Sequence, residues 1–351
     1  MVKIGLIGNG GMCKAAHAPA YRDDPRVEVT AVCDIIEERA VYLRENYFPN
    51  AKVYTDYREL LRDPEVNAVD ICTPNDLHSE IAVAALNAGM DVFCEKPDAV
   101  DVEKAMEMRQ AAEKSGKLLM VMRNNRFTSA SRYLKSFIED GRAGEIYCGR
   151  CGWLRRRGIP GKGGWFTTKA RSGGGPLIDL GVHMIDLAIW LMGNPKPFAV
   201  SANTYSKFSD SNVSDSVNSD FGDKNAEGTF DVEDLAMGMI RFENGAVLQI
   251  EFSWASNIKK ERRFVELRGT KAGINWQDKG AEIYTEENGR LLDTEILPAR
   301  EDNGHLNNIR NFIDVLTNGA EPCYRPEQGV DMIKILCAIY ESAQTGREVL
   351  L

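Results

Sequence analysis

Val2-Lys3-Ile4-Gly5-Leu6-Ile7-Gly8-Asn9-Gly10-Gly11-Met12-Cys13 opens the chain. An apolar strand runs straight into a glycine-rich turn that begins a helix, the setting in which a G-x-G-x-x-G pattern is informative. Gly8 suits the tight turn, and Gly10 lets the backbone approach a pyrophosphate seated on the helix N-terminus. The third glycine position holds Cys13, a side chain small enough to keep helix and sheet close. Short apolar runs then recur at Val27–Cys33, 51–54, 68–72, Asp91–Cys94 and 118–122, with helical patterns such as 80–87 and Val102–Ser115 between them. This alternation predicts a doubly wound parallel sheet with helices on both faces over residues 1–122. Asp34 stands at the end of the second strand. A carboxylate there accepts hydrogen bonds from ribose hydroxyls and repels a 2′-phosphate, which favours NAD over NADP. It equally suits the N-cap of the next helix.

Two more strand ends belong to the same edge. Thr73-Pro74-Asn75-Asp76-Leu77-His78 follows the fourth strand, and ligands of doubly wound sheets lie beyond the carboxyl ends of the strands. The loop is therefore placed to touch a cofactor, with His78 either a contact or a helix cap. Asp91-Val92-Phe93-Cys94-Glu95-Lys96-Pro97 ends a buried strand on a lysine that points to the same cleft. Pro97 restricts Lys96 to extended backbone, and the Lys–Pro bond admits the cis form.

A further stretch is Gly173-Gly174-Gly175-Pro176-Leu177-Ile178-Asp179-Leu180-Gly181-Val182-His183-Met184-Ile185-Asp186. Three glycines read as a loop, and Pro176 fits the first turn of a helix. Leu177, Leu180, Met184, Leu187 and Leu191 form one apolar stripe. Asp179, His183, Asp186 and Trp190 fall on another side. Asp179 and His183 are one turn apart, so they form either a proton-handling pair or part of a solvated polar face.

These motifs together resemble the Gfo/Idh/MocA family, the glucose–fructose oxidoreductase and inositol dehydrogenase relatives. The residues that carry the likeness are Gly8-Asn9-Gly10-Gly11-Met12, Thr73-Pro74-Asn75, Glu95-Lys96-Pro97, the Gly173 to Asp186 stretch, and the closing Ile339-Tyr340-Glu341-Ser342-Ala343 with Gly346. The resemblance implies an NAD(P)-dependent dehydrogenase acting on a secondary hydroxyl of a sugar or polyol. It implies Lys96, Asp179 and His183 as the catalytic group. It also implies cofactor contacts from Gly8, Asn9, Gly10, Gly11, Met12, Asp34, Thr73, Pro74, Asn75, His78, Glu95, Lys96, Arg123 and Asn125. Substrate contacts are expected from Lys96, Arg123, Trp165, Asp179 and His183. Two other functions share the motifs. One is a glycosidase-type relative that uses NAD transiently with no net redox change. The other is a non-catalytic NAD and ligand sensor, which has no chemical need for all three catalytic side chains.

Residues 123–351 are expected to form an α+β domain for substrate binding and oligomerisation. Arg155-Arg156-Arg157 and the glycine-rich run to Trp165 read as either a lid or a solvated loop. Residues 206–230, rich in Ser, Asp and Asn, read as a loop or insertion. Strand patterns follow, with Asn244-Gly245 suggesting a two-residue hairpin turn. A large, mainly antiparallel sheet is expected, covered on one face by helices such as 176–192 and on the other by a symmetric partner in a homodimer or homotetramer.

Composition narrows the remaining classes. The 351 residues carry a formal net charge of -9, which argues against nucleic acid as a partner. No run approaches the roughly 18 apolar residues of a membrane span. The start of the chain shows no export pattern, so a cytoplasmic protein is expected. Of the eight cysteines, Cys148-Gly149-Arg150-Cys151 is formally a C-x-x-C, but it lies in a strand with no second half, so no metal is expected.

Overall fold

A computed structural model describes residues 1–210, 221–278, 280–300 and 302–351. The chain forms two compact units, Met1–Met122 with His305–Ile333, and Arg123–Gly304 with Lys334–Leu351. The sequence places 305–333 with the second unit, and the contacts inside the first show why it joins that one instead. Phe312 packs on Phe93 with ring centres 5.2 Å apart. Asp314 takes the Arg26 guanidinium, and the Tyr324 hydroxyl donates to the buried Asp98 carboxylate. The returning segment thus closes a core that residues 1–122 leave open.

The first unit holds β1 (Val2–Ile7), α1 (Ala18–Arg22), β2 (Val27–Cys33), α2 (Glu37–Asn46), β3 (Lys52–Tyr54), α3 (Tyr57–Leu60), β4 (Ala68–Ile71), α4 (His78–Asn87), β5 (Asp91–Cys94), α5 (Val102–Ser115) and β6 (Leu119–Val121). All strand pairs are parallel, in the order β3-β2-β1-β4-β5-β6. The order reverses between β1 and β4, the switch point where such sheets bind nucleotides. The helix after β1 begins with a π turn at Cys13–His17. Pro19 follows and has no N–H to give to the preceding turn, and such a gap is a common site of π widening.

The second unit contains α6 (Ser129–Glu139), β7 (Ile146–Leu154), α7 (Lys169–Ser172), α8 (Val182–Leu191), β8 (Pro197–Tyr205), β9 (Leu235–Phe242), β10 (Val247–Ser253), β11 (Arg262–Gly269), β12 (Ala272–Gln277), β13 (Gly280–Glu287), β14 (Arg290–Ile296) and β15 (Val349–Leu350). These strands make one sheet, β14-β13-β12-β11-β7-β10-β9-β8-β15. Within this sheet, among the described residues, only the β7–β10 pair is parallel. The turn from β9 to β10 differs from the two-residue form. Phe242 pairs with Ala246 across a three-residue loop, with Gly245 at φ 84° in the left-handed region. Of the insertion read at 206–230, residues 211–220 lie outside the described residues.

Leu177, Met184, Leu187 and Leu191 are wholly buried, so the leucine-rich stripe faces a core. A π turn at Leu177–Gly181 leads into α8. By length and composition, Lys169–Leu191 would pass for a membrane span, but 78% of its apolar window is buried inside the protein.

Candidate active site

The glycine turn after β1 is built for a close approach. Gly8 has φ +87°, and a Cβ there would stand 2.6 Å from the carbonyl carbon of Cys72. A side chain at Gly10 or Gly11 would meet nothing within 4 Å, so these two border open space. Cys13 is completely buried and holds helix against sheet in place of the third glycine. Asp34 ties the turn to its neighbour, since Oδ2 accepts from the Asn9 amide at 2.7 Å and Oδ1 from the Ile36 amide at 2.9 Å. The Asn9 side chain is buried and donates to Leu6 O at 3.3 Å. Thr73 Oγ1, just past β4, is shut off from solvent and has no hydrogen-bond partner among the described residues. An open glycine cradle, a carboxylate at the end of β2 and a buried hydroxyl awaiting a partner fit a dinucleotide. Gly8 to Met12 would hold its pyrophosphate and Asp34 its ribose.

His78 has a different place from a cofactor contact. It is fully buried, with Nδ1 2.7 Å from Pro97 O and Nε2 2.9 Å from Thr73 O. The ring therefore braces the Thr73-Pro74-Asn75 loop against the Glu95-Lys96-Pro97 loop, and burial pulls its pKa down despite both hydrogen bonds. The Lys96–Pro97 bond is cis.

Beneath Lys96 lies a buried cluster that sequence reasoning missed. His17 Nδ1 sits 2.7 Å from Asp70 Oδ2, and its Nε2 sits 2.8 Å from Glu95 Oε1. The other Glu95 oxygen accepts from the Lys96 amide at 3.1 Å. Burial alone would lower the His17 pKa, but the charges and hydrogen bonds of Asp70 and Glu95 overcome it and hold the pKa well above the usual range. Burial would raise Glu95, and the His17 hydrogen bond and charge outweigh it and hold the carboxyl far below its ordinary value. His17, Asp70 and Cys72 are close enough to suggest a metal site. The hydrogen bonds argue otherwise: both ring nitrogens face carboxylates, which suits an imidazolium with no lone pair for a metal. A signal existed in the sequence. Asp70 interrupts the apolar run Ala68-Val69-Asp70-Ile71, and a buried acid needs a partner.

In the second unit, the glycine run before α8 is shaped by two neighbours. A Cβ on Gly174 would collide with the Tyr340 hydroxyl, and one on Gly175 with the Glu233 backbone. The buried Glu233 carboxylate accepts from the Gly175 and Leu177 amides at 3.0 and 3.1 Å and from the Tyr340 hydroxyl at 3.0 Å. A carboxylate at a helix start is favoured by the helix dipole. Burial still raises its pKa. One turn in, Asp179 Oδ2 accepts from Nε1 of the fully buried Trp254 at 3.0 Å. His183, a turn further, is half-buried beside Trp153, with ring centres 6.0 Å apart. Arg155 lies over the same indole, its guanidinium carbon 5.2 Å from the ring centre. Burial lowers the Arg155 pKa, opposed by the charges of Asp179 and Glu261. Of the arginine run, then, Arg155 belongs to the Asp179 neighbourhood, while Arg156 is exposed and Arg157 is tied to Ser256 O and Asn257.

Arg123 and Arg126 both donate to the buried Asp186, Arg123 from Nε at 2.9 Å and Arg126 from Nε at 2.8 Å and Nη2 at 2.6 Å. Asn125 is buried, with Nδ2 unpartnered among the described residues. Trp165 stacks on Phe166 with ring centres 3.8 Å apart.

A doubly wound sheet with a glycine cradle and a β2 carboxylate, joined to a unit bearing an Asp–His pair behind a glycine turn, defines a nucleotide-dependent oxidoreductase. Residues 2–123 match the oxidoreductase family with NAD-binding Rossmann fold, and residues 131–275 match the GFO/IDH/MocA C-terminal domain. The chain belongs to this Gfo/Idh/MocA family. It is 36% identical to D-glucoside 3-dehydrogenase of Escherichia coli over 99% of this chain and 97% of that protein. It is 33% identical to levoglucosan dehydrogenase of Pseudarthrobacter phenanthrenivorans over 78% of this chain and 73% of that protein. A solved levoglucosan dehydrogenase in complex with NADH and levoglucosan superposes with a TM-score of 0.85, at 27% identity over 99% of both chains.

Proposed function

We propose that the protein oxidises a secondary hydroxyl of a sugar, glycoside or polyol, with Lys96, Asp179 and His183 as its catalytic residues. When bound, NAD supplies the hydride acceptor. His183 takes the hydroxyl proton as general base. Lys96 hydrogen-bonds the same oxygen and stabilises its developing negative charge. Asp179 orients substrate hydroxyls. The observation that carries this reading is the Asp179 carboxylate, fixed by Trp254 Nε1 one turn before His183. The named relatives act on D-glucosides and levoglucosan, which favours a pyranose ring as substrate.

The test is NADH formation across glycosides, aldoses, their acids and polyols. His183→Ala is expected to keep NAD binding and lose about 10²–10⁴ in turnover, the usual worth of a general base. Near-normal turnover at saturating substrate would remove His183 from the mechanism. Absence of net NADH with every sugar would favour a transient-redox glycosidase or a sensor.

The reading extends to assembly and compartment. One face of the nine-stranded sheet presents Asn203, Tyr205, Met237 and Gln249 outward. Self-association through it supports a homodimer or homotetramer, and a monomeric mass by light scattering would reject it. Eight cysteines outside any disulfide among the described residues suit the reducing cytoplasm.

A further inference from the structure

The buried His17 cluster is not used by the mechanism above, yet it sits directly under one of its residues. Its members come from separate elements: His17 from the helix entered at the glycine turn, Asp70 from β4, and Glu95 from the residue after β5. Neutral imidazole has one donor, whereas the two carboxylates at 2.7 and 2.8 Å offer His17 only acceptors. The ring is therefore a cation between two anions. Among the described residues, the Cys72 thiol also lies within 4.8 Å of a ring nitrogen, and Asp70 acts in turn on the Tyr21 hydroxyl. Lys96 and His305 act on Glu95 through space.

Glu95 decides what this arrangement does. Its carboxylate is buried, and a buried charge must be matched. One oxygen meets His17 and the other the Lys96 amide, so the counter-charge to Glu95 is the imidazolium. Without that cation, the charges left to favour ionised Glu95 are those of His305 and of its chain neighbour Lys96.

We propose that His17 is a positioning residue. As a cation clamped between Asp70 and Glu95, it neutralises Glu95 so that the Lys96 ammonium is directed to the substrate oxygen instead of its chain neighbour. This rests on the role given to Lys96 above. It also explains how the glycine turn and the Glu-Lys-Pro loop are locked to each other from inside the sheet edge.

The experiment compares wild type, His17→Gln, Glu95→Gln and the double variant. Two readouts are made: turnover of methyl β-D-glucoside with NAD, and ionisation of Lys96 by NMR of its Nζ. His17→Gln is expected to lower kcat about 100-fold with NAD affinity within threefold, and to raise the Lys96 pKa by about one unit as the ammonium turns to Glu95. Adding Glu95→Gln removes the anion beside Lys96 while leaving Asp70, so kcat is expected to recover at least tenfold and the Lys96 pKa to return. If the loss persists in the double variant and Lys96 titrates alike throughout, His17 is a packing residue only and the proposal fails. Ring nitrogen shifts of the wild type give a reading independent of variant folding: a neutral His17 at pH 7.5 overturns the proposal. Wild type inactive on the whole substrate panel would instead count against the dehydrogenase reading, and the Lys96 titration still decides the clamp.

Discussion

Asp34 holds two backbone amides with one carboxylate. Each oxygen already accepts one backbone amide, from Asn9 and from Ile36, so the group is oriented before any ligand arrives. Its remaining lone pairs suit ribose hydroxyls, and its charge opposes a 2′-phosphate. Asp34→Ala is therefore expected to weaken NAD more than NADP, measured by fluorescence titration of both; equal losses would reject the ribose assignment. Trp254 is the comparable residue in the other unit. Trp254→Phe keeps a ring but deletes the donor to Asp179. A hydrogen bond to a charged group is worth about 1.5–3 kcal/mol, so kcat is expected to fall roughly tenfold or more while NAD affinity holds. An unchanged kcat would show that Asp179 needs no such support. The sequence makes readable that Asp34 ends a strand and that Asp179 and His183 stand one turn apart on one helix, because local spacing suffices for that. Trp254 lies 75 positions from Asp179, and His17 pairs with residues 53 and 78 positions away. No periodicity links residues so far apart, and only the fold brings them together.

At the scale of elements, both units use buried charge to fix where a helix begins or a loop ends. The helix after the glycine turn is clamped through His17. Helix α8 is entered over Glu233 and anchored by Asp186 to Arg123 and Arg126. Removing the Asp186 charge takes an ion-pair partner from two buried guanidiniums, and breaking a buried pair typically costs about 3–5 kcal/mol. Asp186→Asn is expected to destabilise the second unit by that order, seen as an earlier urea midpoint. The His17 pair makes a signed pH prediction. His17 has a raised folded pKa, so its stabilisation is complete below about 6.5 and is lost as pH climbs through that raised value. Glu95 has a depressed one, so its share is present above about 4.5 and lost as pH falls towards the folded value. These are two ends of one ion pair, counted once. Melting temperature against pH should fall on the alkaline side in wild type, and that limb should flatten in His17→Gln. The π turn at Cys13–His17 was not legible beforehand, although Pro19 marks where a regular helix lacks a donor. The parallel sheet with helices on both faces, by contrast, follows from the alternation of elements.

The whole chain is organised differently from its linear order. The break after Met122 follows the end of the last parallel strand, but the first unit is completed only by His305–Ile333. Local pattern could not reveal this, because residues 306–317 read simply as a helix that any sheet can take as cover. What binds it to the first unit is particular: Phe312 is wholly buried against Phe93, Tyr324 donates to Asp98, and Gly329 lies where any Cβ would strike that carboxylate and hydroxyl. A fragment ending at residue 122 exposes Phe93 and leaves Asp98 without its tyrosine. Burying one large apolar side chain contributes about 1.5–3 kcal/mol, a sizeable share of a domain's typical 5–15 kcal/mol. Residues 1–122 alone are therefore expected to show no cooperative melt and no NAD binding. The same residues joined by a flexible linker to 305–333 are expected to melt cooperatively and bind NAD with affinity near that of the full chain. Cooperative unfolding of the short fragment by calorimetry, with NAD raising its midpoint, would show that the returning segment is dispensable to the first unit.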